Sequence, residues 1–343
     1  MTRLEYFEMG IQYLNSYLKK YTSIKAINKI GLKELSGKTI VIDASIYLYR
    51  FVSEGALLEN MYIMISLFKY HNIIPLFVFD GVAPPEKLEL LEKRNQDKNI
   101  AEQEYNKLKQ ELKATHYDDN KYSEICCDMC ALKKQFIRLR KSDVANVRSL
   151  ITAFGLNYID AKGEADELCA KLVIKKYAYA CLSEDMDLFI YGCPRVLRYF
   201  SLINETVVIY YLDKILLDLE TTFKEFKEIC IISGTDYSLK KKEKAKVKAQ
   251  AHTTETTINT INLYKTFDYF RQYKKENSKE LNFYEWLEKN SDYITNIYQL
   301  YSIYNLFGTE NINLKQIKIN TKIKAINIDE VKEIMRPEGF IFI

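Results

Sequence analysis

Four short runs of β-branched and aromatic residues each give way, at or just past their last residue, to carboxylates. "TIVID" ends on Asp43 and "PLFVFD" on Asp80, while "LNYIDAKGEAD" leads to Glu164 and Asp166 and "AYACLSEDMD" to Asp185 and Asp187. Charge is excluded from a strand inside a core, so each acid marks where a strand leaves it. A fifth run, Val196 to Phe200, reads as another strand, and a pair around Val207 to Tyr211 is expected to add an edge strand. Helical patterns lie between, among them Met61 to His71 and Ser142 to Phe154. Strands alternating with helices predict an α/β domain with a mainly parallel sheet. In such a sheet functional groups gather beyond the carboxyl ends of the strands.

Any one of these acids could be an ordinary turn or helix cap. Together with Asp236 in "SGTDY" there are seven. Massed carboxylates repel and are costly to desolvate, so a fold that gathers them needs cations. Oxygen ligands without histidine or thiolate select Mg²⁺ or Mn²⁺ rather than zinc. Two such ions about 4 Å apart hold a phosphodiester, activate water and stabilise the leaving oxygen. The implied chemistry is phosphoryl transfer to water.

Spacing adds local geometry. Asp185 and Asp187 are two apart, so in an extended chain both point to one side and Glu184 to the other. In a helix interior the same spacing would separate Glu164 from Asp166. Apolar Ala165, Leu168, Cys169, Leu172 and Val173 predict a helix starting at "GEAD", with Glu164 at its entrance. After Asp80, Pro84 and Pro85 can open a helix that puts Lys87 and Arg94 on one face two turns apart. There they could bind the scissile phosphate and stabilise charge developing on it.

The rest of the chain bounds the answer. Lys87 to Lys141 is charged, helical and without a broad apolar face, as expected of an insertion projecting from the sheet. No glycine occurs between Gly234 and Gly308, and a second, helical unit is expected there. No apolar run reaches the roughly 18 residues of a membrane span, and the first eight residues lack the apolar core of a secretory signal. An intracellular protein, in nucleus or cytoplasm, with reduced cysteines is expected. Cys127 and Cys130 form one CxxC pair with only His116 near it, and read as free thiols rather than a zinc site. Net charge is only +4, so affinity for a polyanion would rest on local clusters. One holds Lys133, Lys134, Arg138, Arg140 and Lys141; the other, Lys240 to Lys248, has six lysines against one glutamate.

The stretches "MGIQYL", "VIDASIYLYRF", "PLFVFDGVAPPEKLELLEKR", "YIDAKGEADELCA", "CLSEDMDLFIYG" and "ISGTDY", in this order from Met9 to Tyr237, resemble the flap endonuclease family within the xeroderma pigmentosum group G nucleases. The resemblance implies a PIN-like α/β/α sandwich, with a nuclease core over residues 1–220, a helical arch over about 95–141, and a helical C-terminal DNA-binding domain over 221–343. It implies metal ligands at Asp43, Asp80, Glu164, Asp166, Asp185, Asp187 and Asp236, where Asp166 replaces the usual glutamate. It also implies catalytic roles for Lys87 and Arg94 beside Asp43, Asp80 and Asp185, and a stacking role for Tyr49. Lys134, Arg138 and Lys141 would lie where the second arch helix guides single-stranded DNA. The implied protein is a monomeric, two-Mg²⁺ nuclease, with Mn²⁺ as substitute, that cuts 5′ flaps or 5′ ends at DNA junctions in replication, repair or recombination. A Holliday-junction endonuclease of the same family, or a silent DNA-binding protein that kept the fold, are the alternatives.

Departures from the family are equally specific. Eight residues precede Met9, whereas the family's processed chain begins at the glycine matching Gly10, close to the DNA junction. Phe51 to Met61 is shorter than in cellular members, which weakens the case for 3′-flap recognition. After "GTDY" the family has a glycine-containing helix-turn-helix that binds potassium, but "SLKKKEKAKVKAQAHTTETTINT" has no glycine, so lysine attraction to the duplex is expected in place of a well-formed potassium site. No sliding-clamp motif is found. Such divergence is similar to members encoded by large DNA viruses. Neutralising Lys240, Lys241 and Lys242 should weaken DNA binding and flatten its salt dependence by about 0.9 per lost phosphate contact. A salt titration with an unchanged slope would exclude that contact.

Overall fold

The computed structural model describes residues 10–114, 118–235, 237, 262–276, 281–294, 296–310, 312–317, 319 and 323–342. Its centre is a seven-stranded sheet of β1 Ile27–Gly31, β2 Thr39–Asp43, β3 Ile74–Phe79, β4 Tyr158–Asp160, β5 Ala180–Leu182, β6 Arg195–Ser201 and β7 Thr206–Tyr211. The spatial order is β1-β7-β6-β5-β2-β3-β4. From β6 to β4 all neighbours are parallel, and β7 runs antiparallel to both β6 and β1. The expected parallel sheet is therefore present, but β7 is not its edge: β1 covers it, Ile27 pairing with Tyr210 and Gly31 with Thr206. β1 carries no period-two apolar pattern, and its partner lies far along the chain.

The helices are α1 Leu14–Tyr21, α2 Ala44–Ser53, α3 Leu57–Tyr70, α4 Leu88–Ala114, α5 Asp119–Gln135, α6 Lys141–Ala153 and α7 Ala165–Ile174. They continue as α8 Asp187–Ile190, α9 Leu212–Asp218, α10 Phe223–Ser233, α11 Leu263–Glu276, α12 Phe283–Asn290, α13 Ile297–Leu306 and α14 Ile328–Met335. Alternation along the strands splits the core in two. Val41, Leu76, Val78 and Cys181 face α1, α7 and α10, whereas Ile40, Ile42, Phe77, Phe79 and Leu182 face α2, α3 and α6. Later helices join both layers: Phe267, Phe270 and Trp286 sit in the first cluster, Val331 and Met335 in the second. The long helices α4 and α5 bury only Leu90, Ala101 and Ile125, the signature of a hairpin outside the main core.

The chain lays β2, β3 and β4 side by side, then crosses back to place β5 on the other side of β2. Where the crossovers diverge, a crevice opens beyond the strands' carboxyl ends. Asp43 ends β2 at that crevice, and Ser183 to Asp187 follow β5 there.

Glu184, just past β5, turns away from the crevice. Its carboxylate accepts the Tyr199 N–H at 2.6 Å and pairs with Arg198 at 3.5 Å; both side chains are buried. Arg198 also donates to the Glu184 carbonyl at 2.9 Å and contacts Met186 Sδ at 2.7 Å, fastening β6 to the turn that carries Asp185. Removing one member strands a buried charge. Arg198→Met should cost about 3–5 kcal/mol in urea unfolding, and adding Glu184→Gln should recover part of it. Simple additivity in that double-mutant cycle would show that the pair is not coupled.

Candidate active site

Each acid reaches the crevice by its own local means. Asp43, 4% exposed, accepts a hydrogen bond from Ser183 Oγ at 3.0 Å, and the same oxygen accepts the Asp185 N–H at 3.1 Å. One serine just past β5 thus holds the Asp43 carboxylate from β2 and the backbone of Asp185 together. Asp80 is exposed one residue past β3, and its Oδ1 accepts the Ala165 N–H at 2.8 Å, satisfying a free amide at the entrance of α7. Beside it the Gly81 N–H donates to the Gly163 carbonyl at 2.8 Å and the Val82 N–H to the Lys162 carbonyl at 3.1 Å. A Cβ on residue 81 would run into the Ala161 carbonyl, so only glycine lets these two loops lie so close.

Glu164 is the residue before α7, as the apolar spacing predicts. Lys87 Nζ donates to its Oε1 at 2.6 Å and the Tyr237 hydroxyl to its Oε2 at 2.9 Å. Asp166 lies in the first turn of α7 with a buried Oδ1 that has no hydrogen-bond partner. Asp185 and Asp187 are not extended, contrary to the sequence expectation. Met186 is helical, Asp187 opens α8, and its N–H donates to Asp185 Oδ1 at 2.8 Å. A side-chain-capped turn, rather than strand alternation, holds the pair together. Gly10 lies against both carboxylates: with φ at +81°, a Cβ there would stand 2.5 Å from Asp187 Oδ1 and 2.6 Å from Asp185 Oδ1. Asp236 lies outside the described residues, although the Tyr237–Glu164 bond brings its neighbour to the cluster.

Electrostatics bear the strain of this crowding. Burial, then repulsion from Asp80 and Asp185, pushes the Asp43 carboxyl up to about 7 despite the Ser183 hydrogen bond. Burial also lifts Asp166 well above the carboxylate range, with Asp185, Asp43 and Asp80 adding to it and Lys87 opposing. Among the described residues no three of these groups close on one point as bound-metal ligands do. They are held instead by Ser183, Lys87, Tyr237 and backbone amides. An all-oxygen donor set, two carboxyls driven toward protonation and a buried oxygen lacking a donor together fit hard divalent cations.

Lys87 lies in the 3₁₀ turn Pro85–Lys87 that leads into α4, with its ammonium 5.1 Å from the Tyr237 ring centre. Arg94 is exposed on α4. Burial lowers the affinity of Lys98 for its proton, and Arg138 and Arg94 lower it further, so these cations form one group. The Lys98 ammonium stands 5.1 Å over the ring of half-exposed Tyr49. Arg138, expected on the second arch helix, lies in the link after α5 and is held on α4 by Asn95 at 2.9 Å and Asn99 at 2.5 Å. Lys134 is exposed on α5, and Lys141 opens α6. Cys127 and Cys130 are free exposed thiols on α5; His116 and Lys240, Lys241 and Lys242 lie outside the described residues. Sequence reasoning gave no role to Ser183, Tyr237 or Lys98. Only Ser183 carries a signal, a small hydroxyl two positions before an acid at a strand exit.

Two family descriptions match, the XPG N-terminal domain over residues 9–101 and the XPG I-region over residues 155–236. Flap endonuclease 1 of Encephalitozoon cuniculi is 32% identical over 247 residues, 67% of this chain and 68% of the relative. Flap endonuclease 1 of Enterocytozoon bieneusi is 29% identical over 286 residues, 78% of this chain and 71% of the relative. Among solved structures, the catalytic core of Rad2 in complex with DNA substrate superposes with a TM-score of 0.60 at 18% identity, covering 96% of each chain. The two matched regions hold β2, β3, β5 and every described acid of the crevice, and with the similarity to the Encephalitozoon relative they show that the chain belongs to the XPG and flap endonuclease family.

Proposed function

We propose that this protein is a structure-specific, divalent-metal-dependent DNA nuclease that hydrolyses phosphodiester bonds at 5′ flaps or 5′ ends. The observation that carries this reading is the convergence of Asp43, Asp80, Glu164, Asp166, Asp185 and Asp187 on one crevice, with Lys87 already hydrogen-bonded to a member of the set. A pure binding protein gains nothing from carboxylates that repel both one another and DNA. Those six and Asp236 would hold two Mg²⁺ ions, or Mn²⁺, which supply an activated water and charge compensation when bound.

The chain's own groups do the remaining work. Ser183 keeps Asp43 and Asp185 oriented, and the Asp80–Ala165 bond fixes the entrance of α7 that carries Glu164 and Asp166. Lys87 can exchange its Glu164 bond for a phosphate oxygen, while Arg94 would stabilise charge developing on the transferred phosphoryl group. Tyr49, with Lys98 over its ring, is suited to stack on a nucleotide near the scissile bond. We assign residues 1–220 to the nuclease core, with the arch over about 95–141, and 221–343 to a helical DNA-binding unit. Junction DNA is the partner, bound by a monomer, and contacts to backbone and metal need no base reading.

Labelled flap, nicked, gapped and four-way DNA should separate the readings. With Mg²⁺ the wild type should cut at least one, and Asp185→Asn should lower that rate by at least about 100-fold. Binding without cleavage of any substrate would sink the nuclease reading, and an unaffected Asp185→Asn would sink the metal assignment.

Metal-free stability provides a second check. The folded Asp43 carboxyl titrates at about 7, above its ordinary value of 3.8, so between those values the unfolded chain ionises first. Stability in EDTA should therefore fall as pH rises from about 4 to about 7, and Mg²⁺ should restore it most at the upper end. Thermal melts at pH 5 and 7.5 with and without Mg²⁺ measure this; a flat EDTA profile would contradict it.

A further inference from the structure

The opposite, amino edge of the sheet carries an array that the nuclease reading leaves unused. Four neighbouring strands contribute to it: Tyr211 ends β7, Arg195 opens β6, Tyr179 precedes β5 and Lys38 precedes β2. Register aligns them, since Arg195 pairs with Tyr211, and the Tyr179 N–H donates to the Thr39 carbonyl at 2.7 Å. The Arg195 guanidinium lies 4.4 Å from the centre of the Tyr179 ring and donates to the Tyr179 carbonyl at 2.6 Å. The Lys38 ammonium is 5.2 Å from the same ring, and Lys214 is 4.0 Å from the ring of Tyr211. Exposed Lys175 and Lys176, and Tyr177 at 49% exposure, precede Tyr179 in the loop that enters β5.

Two properties distinguish this row from an ordinary solvated face. First, none of Lys38, Arg195 and Lys214 has a carboxylate within ion-pair distance among the described residues, although Asp213 is next to Lys214 in the chain and Glu34 lies close enough to Tyr211 to help raise its phenol. Second, the tyrosine rings hold the cations in place, so less side-chain freedom is lost when an anion binds. Across four strands the row spans about 14 Å, enough for no more than about four phosphates at the spacing of one duplex strand. The rings of Tyr179 and Tyr211 are engaged by these cations, and exposed Tyr177 is the ring on which a base of a single strand can stack as its backbone is neutralised; a duplex hides its base faces.

We propose that this amino-edge row is a second nucleic-acid site that takes single-stranded DNA. It lies about 13 Å or more from the carboxylates, the length of β2, so one molecule could hold a strand there while a junction occupies the crevice. Residues Lys38, Tyr177, Tyr179, Arg195, Tyr211 and Lys214 form it, and none belongs to the proposed cleavage machinery.

The test uses the full chain without divalent metal, saturated with unlabelled short-flap substrate, and follows labelled dT20 by fluorescence anisotropy. The wild type should still bind dT20. Lys38→Glu/Lys214→Glu should weaken that binding at least about tenfold and reduce the salt slope by about 1.4, at roughly 0.7 per single-strand phosphate contact. Tyr177→Ala, at an exposed position, should weaken it about fivefold or more. Short-flap cleavage with Mg²⁺ should be unchanged in both variants, so failure here is distinct from failure of the nuclease reading. The proposal is overturned if the flap substrate displaces all dT20, or if folded variants bind dT20 like the wild type. It is also overturned if equal-length duplex or polyglutamate competes as well as dT20, which would mark a general ionic surface.

Discussion

Mutual repulsion among the carboxylates at the crevice is the constraint that the surrounding structure is built to withstand. Burial and crowding lift Asp43 and Asp166 far above the range of a solvated acid, which measures how poorly the protein alone compensates them. What holds the groups is a set of donors drawn from remote segments: Ser183 after β5, the Ala165 amide at α7, Lys87 before α4 and Tyr237 beyond α10. Each bond orients an acid without neutralising the whole cluster. The remaining negative potential at this edge of the sheet is what the proposed divalent cations would compensate.

Strand order makes such crowding possible. If β5 lay beyond β4, β3 and β4 would stand between Asp43 and the pair Asp185 and Asp187, a separation of about 14 Å at the usual spacing. Crossing back to the other side of β2 puts Ser183 within 3.0 Å of Asp43 instead. Close approach then depends on missing side chains. Gly10 leaves room for two carboxylate oxygens, and Gly81 lets the loops after β3 and β4 pair through their backbones. Much of the site's geometry therefore comes from backbone contacts that no acid provides.

Legibility in the sequence follows the range of the interactions. Asp43, Asp80, Glu164 and Asp185 could be placed because a strand's end is a local event, marked by the change from apolar to acidic residues. Glu164 at the entrance of α7 followed from the spacing of Ala165, Leu168, Cys169, Leu172 and Val173 alone. β1 could not be read this way, since "INKIG" becomes a strand through pairing with Thr206 to Tyr210. The extended reading of Asp185–Asp187 fails because spacing alone carries no mark of the turn, which is closed by the bond from the Asp187 N–H to Asp185 Oδ1 around a helical Met186. The resemblance alone puts Arg138 at the second arch helix; α5 ends at Gln135, so Arg138 lies in the link and is held by Asn95 and Asn99, some forty residues back, contacts that no local pattern announces.

Glu184 and Asp185 show why neighbouring acids meet different fates. Both follow β5, and both would be costly to bury alone. Glu184 meets a fixed cation: Arg198 from β6 lies within 3.5 Å, and the Tyr199 amide donates to it as well. Even so, burial leaves its carboxyl above the ordinary value, with Arg198 opposing that rise. That acid is spent on joining β5 to β6 and offers little to a solvent ion. Asp185 turns the other way, toward Asp43, Asp166 and Gly10, where further negative charge raises the cost of ionising its neighbours. A buried guanidinium would quench that field permanently, whereas an exchangeable cation neutralises it only while bound. Placing this fixed positive charge behind the turn, on Glu184, keeps the turn rigid while Asp185 faces the other acids.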